Sequence, residues 1–394
     1  MRETIIQITK KMYMKFTCLV IAAVMVLFCI QIPAVASPPS FEGNLDCKSA
    51  ILIEASTGMV IYEKNADTAL PPASVTKVMT LLLVMEAIEE GKIKYDDKVR
   101  ASKNACSMGG SQIYLKENEE MSVLDLLKSV IISSANDAAV ALAEHLEGSE
   151  ESFVSKMNAK AKEFNMKNTT FENTNGLDDT VEKHLTSARD IAIMSRELIK
   201  YPKITELSSI WMDTVRNGSF GLTNTNRLIR FYKGATGLKT GSTSKAGFCI
   251  SATATRDGMT LICVIMGAPS RDVRNATAVT LLDFGFANYS LYSAQGEKIN
   301  NIPIVKGTDE VLEAEYGDFC AVVPKGEKDK IKKTIDLPES VSAPIEKGCT
   351  IGNIIYTIDD KEIGRTEIRS TQNVKKIRFG NFMLNFLKMC ANIV

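Results

Sequence analysis

The chain has 394 residues, with Lys+Arg and Asp+Glu both at 47 and hydrophobic residues at 45%. That length accommodates two domains and a sizeable core, while the balanced charge gives no global attraction to nucleic acid. No P-loop, no strand-to-helix G-x-G-x-x-G and no basic run with interleaved aromatics occurs, and the only two histidines, His145 and His184, are too few for a histidine-built zinc site. No nucleic-acid partner, metal or other cofactor is therefore expected.

Residues 1–36 read as a secretory signal. Arg2, Lys10, Lys11 and Lys15 form a basic head, Phe16 to Ile32 an apolar stretch, and Ala34-Val35-Ala36 a small-residue cleavage site before Ser37. An uncleaved anchor is the alternative, since the apolar stretch is near the lower limit for spanning a bilayer. Beyond the cleavage site Cys47, Cys106, Cys249, Cys263, Cys320, Cys349 and Cys390 are scattered without a C-x-x-C, so no disulfide framework is indicated. Cys249 and Cys263 sit in strand-like apolar runs and read as small core hydrophobes.

Ser49 to Glu54 and Met59 to Tyr62 predict a hairpin through Ser56-Thr57-Gly58. Pro71-Pro72-Ala73-Ser74 then opens a helix that is apolar on nearly every side and closes at Gly91, the pattern of a buried helix. Ser74 stands at its amino end with Lys77 on the same face. Free backbone N–H groups there favour developing negative charge, and a lysine beside a partly buried serine can lose its proton and act as its base.

A glycine-containing loop, Ser107 to Ser111, leads into helices from Val123 and over Ala138 to Leu146, with Ser134-Ala135-Asn136 in the break between them. Phe153 to Phe164 is helical by period, and Ser187 caps another helix with Asp190 three residues on. From Gly237 the pattern turns to strands: Leu238 to Ser242, then Gly247 to Arg256 and Met259 to Gly267 flanking Asp257-Gly258. A helix over Val273 to Phe286 follows. The order predicts an α+β fold, an antiparallel sheet flanked by helices with an all-helical insert. Composition divides the chain into a domain over 37–295 and a small all-β domain over 296–372, with Gly348 and Gly364 as turn points. In 373–394 Arg378, Asn381, Asn385, Lys388 and Asn392 face away from Phe379, Phe382, Met383 and Phe386. This reads as an amphipathic helix on a membrane surface, Lys375, Lys376 and Arg378 facing anionic lipid; packing on its own domain is the alternative.

Three short patterns carry the chemistry: Ser74-Val75-Thr76-Lys77, Ser134-Ala135-Asn136 and Lys239-Thr240-Gly241. Singly each is weak, and histidine loop or helix-end positions for His184 and His145 offer no catalytic triad. In this order, with Gly110-Ser111-Gln112, Asn175-Gly176-Leu177, Ser187-Ala188-Arg189-Asp190, Asn226-Arg227-Leu228 and Lys245-Ala246-Gly247, the chain resembles the low-molecular-mass penicillin-binding D-alanyl-D-alanine carboxypeptidases, among the penicillin-recognising serine enzymes.

The resemblance implies a β-lactamase/transpeptidase-like catalytic domain acting on peptidoglycan pentapeptide, with β-lactams as covalent inhibitors. It implies Ser74 as nucleophile, Lys77 as base and Ser134 as proton relay. Asn136 would bond the substrate amide, Lys239 and Thr240 the terminal carboxylate, and Gly241 would admit the substrate backbone. The N–H groups of Ser74 and Ser242 would hold the oxyanion, and Arg274 would lie near the carboxylate site. Thr236 departs from the family pattern, where an aspartate is expected. A serine β-lactamase would need an E-x-x-L-N that is absent between Ser134 and Lys239, and a non-catalytic wall-binding protein would be expected to have lost Ser74, Lys77 or Lys239. A D,D-endopeptidase would use the same residues.

Overall fold

The structure, a computed structural model, describes residues 39–179 and 181–377 together with Gly380 and Leu387. The chain divides into two compact units, residues 1–39 and 40–394, and the architecture below belongs to the second. The expected signal and most of the expected tail helix lie outside the described residues. Among the described residues no helix is long and apolar enough to cross a membrane.

Strands β1 (Ser49–Glu54) and β2 (Val60–Lys64) form the expected hairpin, although all six residues of β1 are buried. The buried helix follows as α1 (Lys77–Glu89), ten of its thirteen residues buried. Next come β3 (Lys98–Arg100) and β4 (Glu120–Ser122), which pair antiparallel, then α2 (Val123–Ile132), α3 (Asn136–Glu147), α4 (Glu150–Glu163) and α5 (Ala188–Leu198). A second ribbon joins β5 (Met212–Val215) to β6 (Phe220–Thr223). The insert is therefore not all-helical. Strands of three or four residues are too short to display a two-residue alternation in sequence.

β7 (Ala235–Thr243), β8 (Gly247–Arg256) and β9 (Met259–Ala268) complete a five-stranded antiparallel sheet in the order β2-β1-β9-β8-β7. The β8–β9 turn is the expected Asp257-Gly258, both at positive φ (50° and 78°). Ile51, Ile53, Ile262, Val264 and Met266 join one core with α1 and α5. Ala50, Leu52, Leu261, Cys263 and Ile265 join another with α6 (Arg271–Asn288). Helices on both faces explain why β1 and β9 read as unbroken apolar runs. Thr236, in place of the expected aspartate, donates to Thr253 Oγ1 at 2.9 Å and sits at the register shift of β7 against β8 between Ala235 and Gly237.

Strand β10 (Tyr289–Ala294) follows α6 with no intervening linker and pairs with β13 (Phe319–Pro324), so pairing with the β-rich region begins upstream of residue 296. A six-stranded sheet gathers β11 (Lys298–Val305), β12 (Val311–Tyr316), β14 (Lys332–Asp336), β15 (Val341–Ser342), β16 (Thr350–Ile358) and β17 (Lys361–Ser370) over a third core of Leu312, Ala314, Ile354, Tyr356 and Ile368. Gly364 is not a turn point. It lies within β17 opposite Tyr356, where a Cβ would come within 2.6 Å of the Phe319 ring. The β16–β17 turn is made by Asp359 and Asp360 at φ 47° and 61°, since aspartate tolerates the left-handed region. Val374 and Lys376 pair extended with Ile345 and Gly307.

Candidate active site

The helix of Ser74 begins with a tight turn, Ala73–Thr76, and passes directly into α1. Ser74 is half-buried at its mouth, and Lys77, one turn on, is fully buried. Lys77 Nζ has three partners: Ser74 Oγ at 2.9 Å, Asn136 Oδ1 at 2.6 Å and the Asn175 carbonyl at 2.6 Å. The Asn136 and Asn175 oxygens can only accept. In its neutral form the amine would give them its two hydrogens and turn its lone pair to the Ser74 hydroxyl. Burial pulls the Lys77 pKa far below the usual lysine range, the charge of Lys239 adds to this, and Asp137 opposes it.

Asn136 is the first residue of α3 rather than part of the break, which Ser134 and Ala135 make, with Ser134 at φ 66°. The amide orientation of Asn136 is set by its other end: Nδ2 donates to the Gly109 carbonyl at 2.7 Å, leaving Oδ1 for Lys77. Its backbone N–H donates to Ser111 O at 2.7 Å, so the Ser107 to Ser111 loop is fastened across the site. The buried Asp137 carboxylate extends that fastening, accepting from the N–H groups of Ile113 and Leu115.

Lys239 enters from β7, fully buried, and donates to Ser134 Oγ at 2.8 Å and to the Thr240 carbonyl at 2.8 Å. Ser134 is thus paired with Lys239, and the structure gives it no hydrogen bond from Lys77 among the described residues. Burial, reinforced by Arg274, draws the Lys239 pKa down to about 7. Thr240 Oγ1 donates to Thr225 Oγ1 at 2.8 Å. Gly241 has a reason to be glycine in addition to the expected one. A Cβ there would lie 2.8 Å from Ser74 N and 2.9 Å from Pro72 O, so β7 presses directly on the nucleophile's own turn.

Ser74, Ser134, Thr240, Gly241, Ser242 and Arg274 line one cavity of about 380 Å³, with Lys77, Asn136 and Lys239 buried behind it. Arg271 and Arg227 stand on the same cavity, beside Arg274. Arg274 is itself held by Asn275 Oδ1 and the Cys249 carbonyl. The result is a serine hydroxyl beside a buried amine whose charge burial disfavours, and at the other end a group of basic side chains suited to a small carboxylate. A larger cavity of about 760 Å³ lies between Ser56, Thr57 and Asp318, Phe319, Arg365, but no lysine or histidine among its described lining residues could serve as a base. No group of His, Cys, Asp or Glu able to hold a metal occurs among the described residues.

Residues 33–270 match the D-alanyl-D-alanine carboxypeptidase family, and residues 286–376 match the C-terminal domain of penicillin-binding protein 5. The chain belongs to the D-alanyl-D-alanine carboxypeptidase family. It is 43% identical over 345 residues to the carboxypeptidase DacF of Bacillus subtilis, covering 86% of this chain and 88% of that one. Penicillin-binding protein 5 of Haemophilus influenzae has a solved structure with TM-score 0.76 and 31% identity, covering 86% of this chain and all (100%) of that one. Penicillin-binding protein D2 of Listeria monocytogenes, solved in its ampicillin-bound form, aligns with TM-score 0.57 and 32% identity over 63% of this chain and 100% of its own.

The site also draws on residues outside the three short patterns. Asn175 enters through its backbone oxygen, which no side-chain motif records, although the Asn175-Gly176 pair signals a tight turn. His184, expected as a loop residue, is 3% exposed and bonded to Thr76 within the nucleophile's turn. Its signal was spatial alone, since 108 residues separate the two.

Proposed function

We propose that this protein removes the terminal D-alanine from peptidoglycan pentapeptide stems through an acyl-enzyme on Ser74. The observation that carries the reading is Lys77 Nζ at 2.9 Å from Ser74 Oγ with its other two partners pure acceptors. Ser74 Oγ attacks the carbonyl of the penultimate D-alanine while its proton passes to Lys77. The oxyanion is held by the N–H groups of Ser74 and Ser242, a contribution worth about 3 kcal/mol per donor in comparable sites. The C–N bond then breaks, and Ser134 delivers the proton from Lys77 to the departing D-alanine nitrogen. Water, its proton taken by Lys77, hydrolyses the ester and frees Ser74.

The terminal carboxylate meets Lys239, Thr240 and Arg274, and Asn136 bonds the substrate amide. A carboxylate beside Lys239 favours its ammonium form, so substrate binding itself restores the charge that burial suppresses. Penicillins, which likewise carry a carboxylate and a reactive carbonyl, acylate the same serine; the ampicillin-bound relative supports this. The organisation we favour is a signal over 1–36, a catalytic domain to about residue 288, a β domain through 377, since Val374 and Lys376 are paired extended rather than helical as expected, and a tail helix confined to 378–394 on the outer face of the cytoplasmic membrane, supported by the amphipathic pattern of that tail.

The test pairs a fluorescent penicillin with a peptide ending in D-alanyl-D-alanine, for the protein and for Ser74→Ala. Labelling and D-alanine release, both lost in Ser74→Ala, are expected. Labelling without D-alanine release but with separation of cross-linked dimers into monomers would make it an endopeptidase, and absence of labelling would refute the serine mechanism.

A further inference from the structure

Behind the nucleophile's backbone lies a polar chain that the mechanism above does not use. Thr76 Oγ1 donates to the Ala73 carbonyl at 2.9 Å and lies 2.7 Å from His184 Nε2. The other ring nitrogen fixes the direction. The backbone N–H of Glu172 reaches Nδ1 at 2.9 Å and can only donate, so Nδ1 accepts and the ring proton sits on Nε2. His184 therefore donates to Thr76, and Thr76 passes its own hydrogen to Ala73 O. Thr76 is fully buried, and burial keeps the imidazole neutral, with its pKa down at about 4. The direction of the chain is accordingly constant at any pH at which the enzyme would work.

The Ala73 carbonyl is also confined from its other side. A Cβ on Gly176 would lie 1.9 Å from Ala73 O, at a φ of 86° that itself calls for glycine. Ala73 stands at φ 48°, a conformation costing a non-glycine residue about 1–3 kcal/mol. Such strain persists only where the surroundings over-determine it, and here they converge on one oxygen. The peptide joining Ala73 to Ser74 is planar, so its N–H points opposite to its C=O. Whatever holds Ala73 O thus aims Ser74 N–H.

We propose that His184 and Thr76 are positioning residues that orient the Ala73–Ser74 peptide by its carbonyl and so aim the Ser74 N–H at the developing oxyanion. This rests on the reading of that N–H as an oxyanion donor. Donation into the carbonyl also polarises the same peptide, making its N–H a stronger donor.

Three substitutions separate this role from packing. Thr76→Val keeps the shape and removes the hydroxyl; Thr76→Ser keeps the hydroxyl; His184→Gln can accept from Glu172 N–H and donate to Thr76. The readouts are kcat and KM on a D-alanyl-D-alanine peptide, the penicillin acylation rate, and affinity for a peptide boronic acid, whose tetrahedral adduct places an oxygen at the oxyanion position. Thr76→Val should lower kcat, acylation rate and boronate affinity together by about 10- to 100-fold, short of deleting a donor outright, with little change in KM. Thr76→Ser and His184→Gln should recover most of that loss. A folded Thr76→Val that keeps wild-type kcat, or loses kcat while keeping boronate affinity, overturns the proposal. If Thr76→Val does not accumulate as folded protein, His184→Ala against His184→Gln makes the same comparison. Ser74→Ala, run alongside, isolates the underlying reading: D-alanine release that survives in it refutes the serine mechanism, whereas its loss beside an unaffected Thr76→Val refutes only the positioning.

Discussion

Asn136→Asp tests whether Lys77 works as a neutral base. Asn136 Oδ1 lies 2.6 Å from Lys77 Nζ. A full negative charge at that separation stabilises the ammonium by about 6 kcal/mol at an effective dielectric of about 20. Subtracting half for the amide dipole it replaces and for relaxation leaves about 3 kcal/mol, or on the order of 10²-fold fewer neutral amines at a given pH. The aspartate also turns an oxygen toward the Gly109 carbonyl in place of the Nδ2 donor, which loosens the loop but carries no pH signature. The assay is the second-order rate of acylation by a fluorescent penicillin, followed from about pH 6 to about pH 10. The variant should fall about 100-fold near neutrality and climb with pH toward the wild-type plateau, its acidic limb displaced upward. Asn136→Ala, which removes the dipole without adding charge, should leave that limb undisplaced upward. A loss in Asn136→Asp that is the same at every pH would refute the assignment of Lys77 as the base whose proton sets the rate.

Gly241→Ala places a methyl 2.8 Å from Ser74 N and should push β7 from the nucleophile's turn, lowering acylation about 10-fold and stability by about 1–3 kcal/mol; wild-type acylation kinetics would contradict the close approach. For Lys239, the folded pKa of about 7 lies below that of the unfolded chain. Under about pH 7 both states carry the proton and its burial costs stability in full; above it the folded state sheds the proton first, so stability rises with pH up to the ordinary lysine range. The Tm of the protein relative to Lys239→Gln should therefore increase between about pH 7 and about pH 9, and a constant difference would count against this. Asp137→Asn removes the charge that opposes the depressed Lys77 pKa, so the acidic limb of acylation should move down while Tm falls from weakened bonds to Ile113 and Leu115; an upward move would refute the sign.

The juxtaposition of Ser74, Lys77, Ser134 and Lys239 was legible because each lies in a contiguous pattern at a recognisable place: a helix start for Ser74 and Lys77, a helix break for Ser134, a strand for Lys239. Two hairpins of the main sheet followed from strong apolar runs and from Asp257-Gly258, whereas the pairing of β1 with β9 had no local signal. What the sequence concealed was long-range or borne by backbone. The Asn175 carbonyl meets Lys77 across 98 residues, and His184 reaches Thr76 across 108. Gly364 misled because glycine signals both turns and close packing, and here the Phe319 ring decides between them. The Ser134 hydroxyl, proposed to relay the Lys77 proton, rests on Lys239, so the relay requires it to exchange partners as substrate arrives, and that resting pairing depends on where two buried amines sit relative to one another.

Ser74 belongs to the turn that begins α1, the most deeply enclosed helix of the sheet's larger core. Loosening of that core cannot leave the lysine dry or the turn in register, so covalent labelling reports more than occupancy. A fluorescent penicillin added to living cells becomes a gauge of conformational integrity: its signal counts molecules that are both intact and assembled around α1. Destabilising changes anywhere in that core should register as lost fluorescence before they register as lost protein, which turns an antibiotic into a quality-control readout for the fold.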